Sequence, residues 1–286
     1  MVKSKEVEEA MSDEGMDGVQ RWTTKRKAAL VLAAVILLLA VSIPIGRLLA
    51  PRPVSAPGPS RAVERVLGTL MVRQLRLQER EVGAPAVYDA FRVLLERLRG
   101  SGAAIPRGVR VIVVASPAVN SLTLPGDVIV VDSGLLARMA TPEEMAAVLA
   151  HELGHVVNRD PFNLLVQRIG IGALLTIATG GRAEPVVTNA LQYLMTFRYS
   201  QEAEDRADRF AIDLLSRAGI DPNAFADALE HIRSAEPVES GPLVRYLDPH
   251  SDTEARIDAA RAASRELHVE ARPIALDWSK VIDAVK

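Results

Sequence analysis

The chain has no cysteine, so disulfides, thiolate metal ligands, a cysteine nucleophile and a lipid-modified N-terminal cysteine are all excluded. That absence does not fix a compartment, because disulfide-free proteins live on either side of a membrane. An excess of charge is also missing: 34 Lys and Arg stand against 36 Asp and Glu, for a formal net charge of -2. With a pI near 6.3, nothing points to nucleic acid as a partner, and any electrostatic effect must come from local clustering. No internal repeat is evident. What the chain does have is length, 286 residues, enough for one large domain or two small ones around a sizeable core.

One stretch departs from a soluble composition. AALVLAAVILLLAVSIPIG, Ala28 to Gly46, is uncharged and mostly apolar, and as a helix it would run roughly 28 Å, close to the thickness of a bilayer core. A buried core helix is the alternative, disfavoured by an apolar surface on all sides next to a proline-rich spacer. Arg21, Lys25, Arg26 and Lys27 crowd its N-terminal edge, whereas Arg47 and Arg52 are the nearest positive charges beyond it. The N-terminus is therefore expected to stay cytoplasmic and the remainder to lie outside, in a periplasmic or equivalent space. A long charged region ahead of the span, without a clean small-x-small cleavage site, favours an uncleaved anchor over a signal peptide. The expected organisation is a disordered cytoplasmic tail over 1–27, a transmembrane anchor over 28–50, a stiff proline-rich linker over 51–60 and a globular domain over 61–286.

Within that domain AVERVLGTLMVRQLRLQER and APAVYDAFRVLLERLRG have helical spacing, the second stopping at Gly100. The period then changes. VRVIVV (109–114) and DVIVVD (127–132) are β-branched runs expected to neighbour each other in a small sheet, separated by a loop with Pro117, Pro125 and Gly126. Thr141 is a good N-cap for a helix with Pro142 at its first position, and Glu143 and Glu144 suit the dipole of its first turn. IGIGALLTIATGG (169–181) is too short between Arg168 and Arg182 to cross a membrane, so a buried or membrane-touching helix is expected. A long helix from about Pro185 to Arg217, ended by Gly219, and two shorter ones, after Asp221-Pro222 and after Ser251 or Thr253, would complete the fold. The expected class is α+β, mainly α, with a small β-sheet, preceded by one transmembrane helix.

The helix beginning at Pro142 carries His151 and His155, which at a spacing of four share a face and can reach one ion. Glu152 is one position round, an offset that lets its carboxylate approach a water at the metal, as a general base for hydrolysis requires. Zinc suits two neutral imidazoles and a carboxylate with a fourth position left for water. Chance placement of H-E-x-x-H in a chain of this composition is on the order of 0.01, so a third ligand is what decides the matter. MTFRYSQEAEDRADRFAIDLL (195–215) offers Glu202, Glu204, Asp205 and Asp208. Glu204 and Asp208 are four apart on the stripe continued by Ala211, Ile212 and Leu215, while Glu202 and Asp205 belong to a solvated face. A carboxylate on the inward face needs a cation or a partner. If Glu204 is the third ligand, Asp208 can accept the spare N–H of a ligating histidine and fix its tautomer. A metzincin would need Gly at 158 and His at 161, where this chain has Asn158 and Pro161, so the class with glutamate as third ligand remains.

Four separated motifs resemble the M48 family of zinc peptidases: NSLTLPG (120–126) with VIVVDSGLL, similar to NAFALPGG; EEMAAVLAHELGHVVNRD; YSQEAEDRAD (199–208), similar to YSRxxExEAD; and HSDTEARI (250–257), similar to HPxTxxRI. The resemblance covers about 61–270. It implies a zincin-like helical metallopeptidase domain with one zinc ion held by His151, His155 and Glu204, water activated by Glu152, and Asp208 supporting the site. His250 would lie on a loop near the metal, as an oxyanion stabiliser or a cap on the resting ion. Family analogy also makes the strand at 127–132 the edge that receives an extended polypeptide substrate. His231 and His268 match nothing and are read as surface or helix-end residues. Gln201 for Arg, Asp127 for the second Gly and Ser251 for Pro depart from the pattern without touching a ligand. The function expected is membrane-anchored, zinc-dependent endopeptidase activity on polypeptides, with envelope protein quality control as the setting. The rivals are a zinc-stabilised chaperone or binding module that does not cleave, and a metal-free anchor protein in which the motif is accidental.

Overall fold

In a computed structural model the residues described are 61–179, 184–196, 199–234 and 253–285, and they lie within one compact unit, Pro59–Lys286. The expected tail, anchor and linker, and His250, fall outside the described residues. In chain order the elements are α1 (Arg61–Gln78), α2 (Pro85–Arg99), β1 (Arg110–Val114), β2 (Ser121–Leu124), β3 (Val128–Asp132), α3 (Ser133–Arg138), α4 (Pro142–Asn158) and α5 (Asp160–Ile169). They continue as α6 (Ile171–Ala178), α7 (Glu184–Thr196), α8 (Gln201–Arg217), α9 (Asn223–Arg233), α10 (Thr253–Leu267) and α11 (Trp278–Asp283). Among the described residues the fold is mainly helical around one three-stranded sheet.

The two β-branched runs do neighbour each other, as parallel strands β1 and β3 in register from Arg110–Val128 to Val114–Asp132. Between them in sequence lies β2, which pairs antiparallel with the other side of β3, giving the order β1-β3-β2. This corrects the edge assignment. The strand at 128–132 is central, not peripheral, and its uninterrupted apolar run is what burial on both faces demands: Val128, Ile129 and Val131 have no exposure at all. The outer side of β1 is covered by the chain after α1, where Val82 N–H donates to Val113 O and Ala115 N–H to Arg80 O, both at 2.8 Å. The open edge among the described residues is therefore β2. Its hairpin with β3 turns through Gly126 (φ 80°) and Asp127 (φ 64°), left-handed positions that suit glycine and that aspartate tolerates. Arg61 holds the Asp127 carboxylate at 2.9 Å.

Strand alternation divides the interior in two. Val113 of β1 and Ile129 and Val131 of β3 face a core built from α2, α4, α9 and the C-terminal helices. Ile112, Val114, Leu122, Leu124, Val128 and Val130 face a second core with α1, α5, α6 and α7. α4 runs through the first core and is buried from Met145 to Val156. The Thr141 hydroxyl accepts from Glu144 N–H, with Pro142 opening the helix, as expected.

The run from 185 to 217 is two helices rather than one. Ser200 adopts an extended backbone (φ -66°, ψ 153°) ahead of α8, so the helix restarts at Gln201. In the described part of the 169–181 stretch, Ile169 ends α5 and the short α6 follows, in which Leu174 and Ile177 are buried. Among the described residues no single helix is long and apolar enough to cross a membrane, although α5 and α6, bent by 108°, pass that test as a pair. α11, which periodicity did not predict, docks through Trp278, whose indole N–H donates to Met139 O at 2.8 Å.

Candidate metal centre

Two helices build the site. Gly154 of α4 lies so close to α8 that a Cβ placed there would stand 2.8 Å from Ala207 Cα, and this contact brings the α8 carboxylates against the α4 histidines. His151 Nε2 and His155 Nε2 are 3.2 Å apart. Glu204 places Oε2 3.4 Å from the first and Oε1 3.7 Å from the second. The three residues are all buried, and one ligand atom from each lies within 4.8 Å of the others. Two ligands about 2.0–2.1 Å from a tetrahedral ion stand roughly 3.3 Å apart, so the spacing fits a single zinc-sized centre.

The outward nitrogens are occupied, which fixes where the lone pairs point. Asp208 Oδ1 is 2.8 Å from His151 Nδ1, and Asp160 Oδ2 is 2.8 Å from His155 Nδ1. A carboxylate on Nδ1 holds the proton there and leaves Nε2 as the ligand atom. Behind Asp208 stands Arg256 of α10, with Nε 2.6 Å from Oδ2 and Nη2 2.7 Å from Oδ1. Behind Asp160 stands Arg206, with one contact of 3.4 Å to Oδ1. Aromatic rings flank both imidazoles: Phe225 stacks on His151 at 5.8 Å and Tyr199 on His155 at 4.3 Å between centroids.

Charge completes the fit to a metal. Glu152, Asp160, Glu204 and Asp208 are all buried, and Arg256 is the one buried lysine or arginine among the described residues. Burial lowers the His151 pKa, but hydrogen bonds and charges from Asp208 and Glu204 outweigh it and push the group up to about 10. Burial likewise works to raise Asp208, yet His151 and Arg256 hold it well below the usual carboxylate range. The pocket thus favours positive charge between its carboxylates, which a divalent ion bound by neutral imidazoles supplies.

Glu152, 6 % exposed, extends to β2 rather than to α8. Ser121 Oγ donates to its Oε1 at 2.7 Å and Thr123 Oγ1 to its Oε2 at 2.6 Å. Of the residues singled out from the sequence, His151, Glu152, His155, Glu204 and Asp208 are brought together. Glu202 and Asp205 point to solvent, as expected. His231 sits at the end of α9, its Nδ1 2.9 Å from Glu144 Oε2, and His268 is exposed. Sequence reasoning missed Asp160, Arg256, Ser121, Thr123, Tyr199 and Phe225. Asp160 and Arg256 lay inside quoted motifs without a role. Asp160 reaches His155 because Arg159 takes the left-handed conformation at φ 58°, which an arginine does not announce in sequence.

The chain belongs to peptidase family M48, which it matches over residues 91–264, and with that family to the metallopeptidases. The chain is also similar to curated proteins. A beta-barrel assembly-enhancing protease of Yersinia pestis is 26% identical over 223 residues, 71% of this chain and 44% of that protein. The mitochondrial metalloendopeptidase OMA1 of Arabidopsis thaliana is 32% identical over 123 residues, 43% of this chain and 25% of its own. The metalloprotease LoiP of Escherichia coli K12 is 29% identical over 138 residues, 46% of this chain and 53% of its own. The chain spans less than half the length of the beta-barrel assembly-enhancing proteases it matches.

Proposed function

We propose that this chain is a membrane-anchored zinc endopeptidase acting on polypeptides outside the cytoplasm, with 28–50 as its anchor and 61–286 as its catalytic domain. His151, His155 and Glu204 hold the metal, Glu152 is the general base, and Asp208 orients His151, with His250 as an oxyanion donor or cap. When bound, zinc supplies Lewis acidity to a peptide carbonyl and to water. Glu152 takes the proton of the attacking water and returns it to the leaving amine. The substrate lies extended along the open edge of β2, next to the base, in strand addition. The names of the beta-barrel assembly-enhancing relatives favour envelope polypeptides as the substrate class.

The observation that supports this reading most directly is the meeting of two Nε2 atoms and a carboxylate within 4.8 Å, with Glu152 on the same helix as the histidines. The test uses the full chain purified in detergent, assayed for bound metal and casein cleavage. Stoichiometric zinc with turnover is expected, and Glu152→Gln lowers turnover by roughly 100- to 10,000-fold with zinc retained. Cleavage that persists undiminished in Glu152→Gln overturns the mechanism. Stoichiometric zinc without turnover in the unsubstituted chain would favour the non-cleaving module.

A further inference from the structure

Strand alternation makes an odd demand on β2. Opposite Ser121 stands Val131 and opposite Thr123 stands Ile129, so these two hydroxyl residues share the sheet face that β1 and β3 fill with Val113, Ile129 and Val131. The other face of β2 follows the apolar rule, with Leu122 and Leu124 in the second core. Thr123 is 1 % exposed. A hydroxyl there is costly unless hydrogen-bonded, and valine would fill the same space. The Thr123 hydroxyl is directed at Glu152, reaching Oε2 at 2.6 Å and the backbone carbonyl at 3.3 Å. Ser121 takes the other oxygen, Oε1, at 2.7 Å. The two hydrogen bonds grip both ends of one carboxylate and fix its plane.

We propose that Ser121 and Thr123 are positioning residues that hold the Glu152 carboxylate in its working orientation, so that the strand whose open edge receives the substrate also aims the base. This rests on Glu152 being the base. A glutamate has three side-chain torsions, and a buried one without donors can swing between rotamers. With each oxygen held by a hydroxyl, the carboxylate keeps one acceptor position on each oxygen and loses its freedom to rotate. Because the donors come from the short edge strand, β2 ties the carboxylate that α4 carries to the element that receives the substrate backbone, and near-attack geometry depends on such fixed placement.

The test is kinetic and thermodynamic, on the full chain in detergent. Ser121→Ala combined with Thr123→Val removes both donors at nearly constant volume. It is expected to lower kcat on casein by roughly 10- to 100-fold, with KM and bound zinc unchanged within about twofold, because a transition-state interaction is lost rather than uniform binding. Thr123→Ser, which keeps the donor, is expected to retain more than about half of kcat. A second readout needs no activity: Thr123→Val should lower the thermal midpoint of the otherwise unaltered chain but not of the Glu152→Ala chain, since contacting groups couple and independent ones add. An unchanged kcat in the double variant of a cleaving chain overturns the proposal, as does a strictly additive thermal cycle. Absence of cleavage in the unsubstituted chain overturns instead the reading on which it rests.

Discussion

The two histidines of the site are held in the same way but by different means. Each gives Nδ1 to a carboxylate at 2.8 Å and each carboxylate has an arginine behind it. On the His155 side the support is local: Asp160 follows five residues later, beyond a left-handed Arg159 that caps α4, and Arg206 is half exposed. On the His151 side it is assembled from three helices, α4, α8 and α10, and its arginine is buried and bidentate. Chain geometry makes the first arm nearly automatic. The second exists only when the helices pack, and once desolvated its charges must all be matched.

The comparison breaks most sharply at the arginines. Arg256→Met leaves Asp208 buried with His151 as its remaining partner, so a loss of about 3–5 kcal/mol in folding stability is expected, read from denaturant unfolding. A loss within about 1 kcal/mol would show that the two arms are equivalent.

One step nearer the metal, Asp208→Asn and Asp160→Asn each remove the carboxylate that sets a ligand's tautomer. Both are expected to weaken zinc binding by about 10- to 100-fold in competition with a chelating dye, Asp208→Asn the more strongly because it also removes the carboxylate that the buried Arg256 grips. The opposite ranking would place the decisive support on the His155 arm.

Acid sharpens the same contrast. Asp208 is held far below its unfolded value by His151 and Arg256, against the effect of burial. Its contribution to stability is therefore present above an unfolded pKa near 4 and lost as pH falls through the folded value. In the metal-free chain, thermal midpoints measured downward from pH 5 should fall, and the Asp208→Asn chain should show a shallower slope over that window. The smallest effect is expected from Arg206→Met, within about 1 kcal/mol, because Arg206 is half exposed and meets Asp160 through a single contact of 3.4 Å.

Much of this was legible in the residues and some was not. A spacing of four put His151 and His155 on one face, and the four-residue offset of Glu204 and Asp208 put two carboxylates on one stripe of another helix. Both follow from helical pitch alone. The N-cap of α4 and the adjacency of β1 and β3 followed from turn chemistry and β-branching. The strand order did not. SLTL alternates strictly but is only four residues long, beside Pro125 and Gly126, so its pattern alone reads as loop and family analogy puts β3 at the edge that β2 occupies. The break before α8 was likewise hidden, because 185–217 keeps helical spacing across Ser200, whose extended backbone turns Tyr199 onto His155.

By itself the sequence determined which side chains share a helix face, since that depends only on a fixed rise and rotation per residue. Tertiary structure decided which faces meet. Gly154 against Ala207 set how closely α4 approaches α8, α10 delivered a buried arginine to Asp208, and the sheet order turned Ser121 and Thr123 toward Glu152. Contacts between residues so far apart in the chain arise from packing and desolvation, and local periodicity carries no record of them.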